Sequence, residues 1–193
     1  MSDPKRAVLE AALVRAAEAG FTDGVLAEAG KDAGVSAETL LHLFPQGPQS
    51  LVEYFSEVAD EAIPPSAPPT KIRERIKSAV LARIGALRPH KEAARRAAAF
   101  LLLPQHAALG AKLVYRTVDA MWRAAGDSST DFNFYTKRAI LAGVYSSTLL
   151  RWFNDGDDEQ ATRDFLDARI ENVMQFEKLK AEIKTRMSSA SGT

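Results

Sequence analysis

Apolar residues recur at helical spacing along nearly the whole chain, and the alternation of a strand is almost absent. Val8, Leu9, Ala12, Leu13 and Ala16 form a first stripe, on a helix that Asp3 caps, Pro4 opens and Gly20 ends. Two short helices follow, over roughly 24–33 and 37–43. Gly34 supplies the turn between them and Ser36 a cap, while Ala29 and Ala33 allow close helix contact. A fourth helix, about 48–62, carries Leu51, Val52, Phe55 and Val58. Residues 23–50 therefore have the layout of a helix-turn-helix, its second helix ending at Leu43 and Phe44.

Pro64, Pro65, Pro68 and Pro69 make a stiff linker and the best boundary in the chain. Beyond it the spacing predicts helices over about 70–87, 89–103, 104–124, 132–153 and 159–187. Pro104 is placed at one helix start and Asp131 at another, after the polar turn from Gly126 to Asp131. The expected organisation is a helix-turn-helix unit over 1–62, a linker over 63–70, a helical domain over 71–187 and a disordered tail over 188–193.

Composition narrows the function classes. The 193 residues carry 25 basic and 25 acidic side chains, so there is no basic excess of the kind a nucleic-acid binder shows. Cys is absent, which excludes disulfide scaffolds, thiol catalysis and Cys-based zinc sites. Met1 to Pro4 lead straight into an amphipathic helix with no apolar core of signal type. No run of about 18 apolar residues is present, so membrane contact is expected to be peripheral.

The turn motif conflicts with its own charge. Asp23, Glu28, Asp32 and Glu38 stand against Lys31 alone, a balance ill suited to phosphates. Gly34-Val35-Ser36 before a short helix and an aromatic residue resembles the TetR-type regulators. A recognition helix of that type needs donors for base edges, yet Ala37, Glu38, Thr39, Leu40, Leu41, His42 and Leu43 occupy its places. TetR-like chains usually show Gly near Glu38, an aromatic near Leu41, His at Leu43 and Lys at Gly47. All four differ here. The element reads as a degenerate helix-turn-helix kept for structure, with no nucleic acid as partner. The rival is a TetR-type, ligand-responsive transcriptional regulator.

Catalytic signatures are missing. His42, His90 and His106 lie far apart, without a carboxylate at metal-ligand spacing, and there is no nucleophile elbow, phosphate loop or dinucleotide fingerprint. The chain reads as no enzyme, with no cofactor and no metal. The apolar helices of the second half carry more information. Phe100, Leu101, Leu102, Leu103, Leu109, Leu113, Val114, Val118, Met121 and Trp122 precede the polar turn; Ile140, Leu141, Val144, Tyr145, Thr148, Leu149 and Trp152 follow it. Helices apolar on more than one face are buried in a core, wrapped around an apolar ligand, or packed on a partner. In residues 127–138, Phe132, Phe134 and Tyr135 lie beside Lys137 and Arg138 in a polar setting, either as interface anchors or tucked into the core. The last helix joins an apolar stripe (Leu166, Ile170, Val173, Met174, Ile183, Met187) to Lys178, Lys180, Lys184 and Arg186. It either docks on the body or lies on anionic lipid.

Taken together, these stretches resemble one family: the accessory proteins of ubiquinone (coenzyme Q) biosynthesis known as the ninth-numbered assembly factor, which have a TetR-like fold. The resemblance spans roughly 5–178. It rests on DAGVS at 32–36, LFP-x-GP at 43–48, FLDARIENVM at 165–174 and above all MWRAAGDSSTDFNFYTKRAILAGVYSSTLLRW at 121–152. Without a transit peptide, the chain resembles a bacterial member.

The resemblance implies an all-α, TetR-like, non-catalytic lipid-binding protein, peripheral to the inner membrane on its cytoplasmic side. It implies that an isoprenoid or ubiquinone precursor is bound in an apolar cavity and presented to a di-iron hydroxylase. Candidate lipid-binding residues are Phe100, Leu103, Leu109, Leu113, Val114, Trp122, Leu141, Val144, Tyr145, Leu149 and Trp152. Candidate partner-binding residues are Met121, Asp127, Phe134, Tyr135 and Arg138. The family often has Trp where this chain has Phe134, which keeps an aromatic ring and removes an indole donor. By analogy with the fold, a homodimer is expected.

Overall fold

The computed structural model describes residues 3–65, 71–127, 132–156, 159–173 and 175, and of residues 132 and 133 the main chain alone. The expected linker core at 66–70, the Asp131 cap, the basic end of the last helix and the tail at 188–193 lie outside the described residues. Every regular element among the described residues is a helix. Eight of them are α1 (Pro4–Ala19), α2 (Asp23–Asp32), α3 (Ala37–Leu43), α4 (Pro48–Asp60), α5 (Ile72–Leu87), α6 (Lys91–Leu101), α7 (Ala107–Ala124) and α8 (Phe132–Phe153). A further helix, α9, covers 160–173.

Local chemistry fixes the ends. Asp3 accepts the Lys5 N–H at 3.0 Å, Thr22 the Val25 N–H at 3.2 Å and Ser36 the Thr39 N–H at 3.2 Å. Gly34 takes φ +67° in the turn between α2 and α3, a region that other L-residues avoid. The tight contact of that turn falls one residue from the expected position. A Cβ on Gly30 would lie 2.8 Å from Leu40 Cδ2, so it is the missing side chain of Gly30 that lets α3 settle on α2.

Two expected helix starts move. Pro104 opens a single 3₁₀ turn, and α7 begins at Ala107. Leu103, held extended by the following proline (φ −64°, ψ 139°), breaks the helix there. The stretch after α5 likewise begins as a 3₁₀ turn, Arg88–His90, before α6.

α1 packs on α2 and α6, α4 on α5 and α7, and α7 on α8. The buried apolar residues form one cluster, from Val8 in α1 to Leu166 in α9. The helix-turn-helix unit is therefore seated on the second half by a shared core. Paired charges reinforce the seam: Lys112 reaches Glu53 at 2.7 Å and Arg116 reaches Glu57 at 2.9 Å.

α8 is tied to α9 through a buried carboxylate. Trp152 is fully buried, and its indole donates to Glu159 Oε1 at 2.7 Å. Arg88 donates to the same carboxylate, from Nε at 2.9 Å and also from Nη2. Glu159 holds φ +51°, a left-handed conformation that costs a non-glycine residue about 1–3 kcal/mol and persists only where surroundings fix it. Asp155 supports the same corner, accepting the Thr162 N–H at 2.6 Å and its hydroxyl at 2.7 Å.

The Arg88 guanidinium and the indole hold the Glu159 carboxyl below its ordinary value of 4.5. A lowered folded value means that the ionised form stabilises the fold above about pH 4.5, and that this contribution is lost as pH falls through the folded value. Glu159→Gln is expected to cost about 1–3 kcal/mol at pH 7 and to flatten the decline towards acid. Urea melts at neutral pH and at pH 4 check both; an unchanged pH slope contradicts the assignment.

Candidate functional site: an apolar groove beside a sealed polar junction

Two apolar spaces lie in the second half, and they differ in size and chemistry. The inner one, about 90 Å³, is lined by Leu113 and Val114 of α7, Tyr145 and Leu149 of α8, and neighbours from α4, α5 and α6. Ligand sites run to about 300–1,000 Å³, so this space is too small for a prenyl chain. One end of it is polar. Arg83, 5% exposed, donates from Nε to Asp60 at 2.5 Å, from Nη2 to Ser56 at 2.9 Å and from Nη1 to the Tyr145 hydroxyl. Thr117 donates to the same Asp60 carboxylate at 2.9 Å. Burial raises the Tyr145 phenol above its ordinary value, so it is a neutral hydroxyl at pH 7.

The outer space is larger, about 460 Å³. Its walls are Ile72 and Ile76 of α5, Trp122 of α7, Ile140, Leu141 and Val144 of α8, and Ile170 and Val173 of α9. Lys71 and Arg73 also line it. A further hollow of about 510 Å³ shares Ile140, Val144 and Val173 and extends past Gly143, Ser147 and Arg169. Ile72 is 43% exposed at the edge, whereas Ile76, Leu141 and Val144 are buried. This is an open, apolar groove of ligand size.

The structure distributes the sequence candidates. Trp122, Leu141 and Val144 line the outer groove; Leu113, Val114, Tyr145 and Leu149 line the inner space. Trp152 is committed to Glu159 in the core. Half-buried Phe100 stacks on His106, and Leu103 points towards water at 43% exposure. Leu109 is half-buried against the core. Ile72, Ile76, Ile170 and Val173 were missed as wall residues. Their stripes were legible, but the side-by-side placement of α5 and α9 is a long-range fact.

The aromatic segment divides in the same way. Met121 is fully buried and Arg138 is 3% exposed. Arg138 donates to Asp119 at 2.7 Å, lies 3.5 Å from the Asp127 carboxylate, and stacks 3.3 Å from the Phe134 ring centroid. Lys137 pairs with Asp127 at 2.7 Å, and its carbonyl accepts the Trp122 indole at 3.2 Å. Asp127 and Arg138 thus support the segment from below, whereas Met121 belongs to the core. Tyr135, 68% exposed, and half-buried Phe134 form its outer surface, ring edge to face at 5.1 Å.

The helix-turn-helix holds its second helix at the surface. α3 has no buried residue, and Glu38, Leu41 and His42 face water, Leu41 at 70% exposure. Lys31 pairs with Glu28 at 2.7 Å, and Arg15 with Asp32. Among the described residues no cluster of three or more His, Asp or Glu is placed to hold a metal ion.

Residues 107–177 match the COQ9 family model. The chain is similar to the COQ9 proteins over most of its length. It is 34% identical over 190 residues to "Ubiquinone biosynthesis protein COQ9, mitochondrial" of Rattus norvegicus, and 31% identical to the protein of that name from Homo sapiens. Each alignment covers 92% of this chain, which spans 61% of the rat protein's length and 60% of the human one's. A solved TetR transcriptional regulator from Nitrosomonas europaea superposes with TM-score 0.71 at 19% identity, covering 88% of this chain and 97% of its own. A putative TetR family regulator from Shewanella gives 0.51 at 22% identity, over 89% and 98%. The fold is TetR-like, and at these identities the likeness concerns fold alone. The COQ9 match covers α7, the aromatic segment, α8 and α9, which supply Trp122, Ile140, Leu141, Val144, Ile170 and Val173 to the groove, while the α5 wall lies outside it.

The junction around Arg83 yields a stability test. Arg83→Met leaves Asp60 without its cation and is expected to cost about 3–5 kcal/mol. Adding Asp60→Leu is expected to recover most of that loss, because an apolar pair leaves no orphaned charge. Denaturant titration of the single and double variants reads the coupling; additive losses contradict a sealed ion pair.

Proposed function

We propose that this chain is a non-catalytic, lipid-binding accessory protein of ubiquinone biosynthesis. It holds an isoprenoid or ubiquinone precursor in the outer groove and presents it to a membrane-associated di-iron hydroxylase. The observation that carries this reading is the groove of about 460 Å³, whose walls from α7, α8 and α9 fall in the region matched to COQ9. A prenyl chain leaves a bilayer at a cost of about 0.8 kcal/mol per CH₂, or roughly 4 kcal/mol per isoprene unit. A groove walled by Ile72, Ile76, Leu141, Val144, Ile170 and Val173 offsets that cost by covering the chain. Lining by α9 gives the last helix a function beyond capping the core.

The relatives' printed names support mitochondrial ubiquinone biosynthesis for them. For this chain the corresponding place is the surface of the membrane that makes ubiquinone, with peripheral attachment, since no single described helix is long and apolar enough to cross a bilayer. Phe134 and Tyr135 form the face that meets the hydroxylase, on a base of Asp127 and Arg138. The two-unit organisation, with a degenerate helix-turn-helix over 1–62 seated on a helical domain, and a homodimer built through that domain, complete the proposal.

Native mass spectrometry of gently purified protein tests the cargo. Prenylated quinones or their precursors should leave with the wild type. Val144→Trp, which fills the groove, should lose at least about nine-tenths of them. Protein that is lipid-free and binds duplex DNA with a steep salt dependence would overturn the reading in favour of a regulator.

The partner face has its own test. Phe134→Ala with Tyr135→Ala should abolish copurification of the hydroxylase while helicity and melting stay near wild type, because Tyr135 is exposed and Phe134 only half-buried. Undiminished copurification of the folded double variant removes this face from the interface.

A further inference from the structure

The corner between α6 and α7 has a composition and shape of its own. Residues 97–111 contain no Asp, Glu, Lys or Arg. The helical arms on either side of the corner meet at 94°. At the turn Leu102 is 78% exposed and Leu103 43%, and Pro104, Gln105, Ala107 and Ala108 are exposed beside them. Leu102 is the most exposed large apolar side chain among the described residues.

The corner is tightly built. The rings of Phe100 and His106 stack with centroids 4.0 Å apart. The His106 N–H donates to the Leu103 carbonyl at 2.8 Å, and the Leu102 N–H to the Ala98 carbonyl at 3.1 Å. Gly110 lies so close beneath that a Cβ there would sit 3.2 Å from the Leu101 carbonyl oxygen. Two adjacent leucines are therefore held out in water by fixed geometry.

We propose that this corner is the membrane-inserting tip of the molecule, with Leu102 and Leu103 entering the acyl region of a lipid bilayer. This deepens the peripheral attachment proposed above and rests on it. The occupant follows from shape and charge. A stable protein interface takes about 20–30 residues a side, whereas this surface is a convex point of a few residues. A fluid bilayer closes around such a point. A stretch without Asp, Glu, Lys or Arg lets the tip sink without dragging in a permanently charged side chain, and the first Lys or Arg on either side, Arg96 and Lys112, fall where headgroups begin. Arg96 pairs with Glu92 at 3.5 Å and Lys112 with Glu53 at 2.7 Å, so the tip enters by apolar contact more than by charge.

The lack of native cysteine makes the test direct. Leu102→Cys carries an environment-sensitive nitrobenzoxadiazole label, and Val14→Cys, at the 70%-exposed position on α1, carries the same label as control. Vesicles of phosphatidylcholine and phosphatidylglycerol are added to the full chain. The tip label should shift to the blue and be quenched by acyl-chain spin labels while the α1 label stays aqueous. Leu102→Asp with Leu103→Asp should lower vesicle partitioning by about tenfold with melting unchanged. A tip label as wet as the control on protein that sediments with vesicles overturns the inference and leaves the attachment standing. Failure of the wild type to sediment overturns both. A blue shift without vesicles that grows with protein concentration assigns the tip to a second copy.

Discussion

A guanidinium cut off from water holds the two halves of this molecule in one arrangement. Arg83 of α5 bonds Asp60 and Ser56 of α4 and Tyr145 of α8, and Thr117 of α7 shares the same carboxylate. A buried charge tolerates no loss of partner, so the four helices keep their relative positions or the ion is exposed at high cost. The helix-turn-helix unit ends in α4 and is therefore fixed to α5, α7 and α8 through polar contacts of defined direction. The apolar cluster around them contributes most of the stability but specifies geometry less sharply.

That junction shapes what the rest of the chain does. It closes one side of α8, where the inner space is small and partly polar, and leaves the other side to α5, α7 and α9 as an open groove. Glu159 fixes the start of α9, so Ile170 and Val173 reach the groove as its far wall. At the groove's end Trp122 lines the wall while its indole bonds the Lys137 carbonyl, which joins groove and aromatic segment. Groove and aromatic segment are thus neighbours on α7 and α8, which suits the proposed hand-over of a ring from one protein to another. The fold came with a DNA-reading element, yet α3 offers an acidic and apolar outer face. The proposed function uses the groove and leaves this element as part of the shared architecture.

Local signals in the sequence were sufficient for most of the fold. Asp3, Thr22 and Ser36 cap where their chemistry directs, and Gly34 turns where the chain needs a positive φ. Pro104 was harder, because a proline that opens one element also extends the residue before it, and the 3₁₀ turn results. Periodicity marked Leu141 and Val144 as inward-facing, but it could not separate the wall of a groove from the wall of a core. Trp152 illustrates the limit: its stripe is the same as theirs, and only the long-range placement of Glu159 assigns it to structure. Arg138 and Asp127 stood beside Phe134 and Tyr135 as partner-binding candidates and lie beneath the aromatic segment, because each finds an opposite charge there.

The central claim is that the groove between α5, α8 and α9 holds a prenyl chain, and photo-crosslinking tests it most directly. A ubiquinone precursor bearing a diazirine along its prenyl chain is bound, irradiated and mapped by peptide sequencing. The account predicts adducts on peptides containing Ile140 to Val144 and Ile170 to Val173, competed away by unlabelled precursor. Adducts confined to Leu113, Val114 and Leu149, or labelling that excess precursor does not reduce, would contradict it.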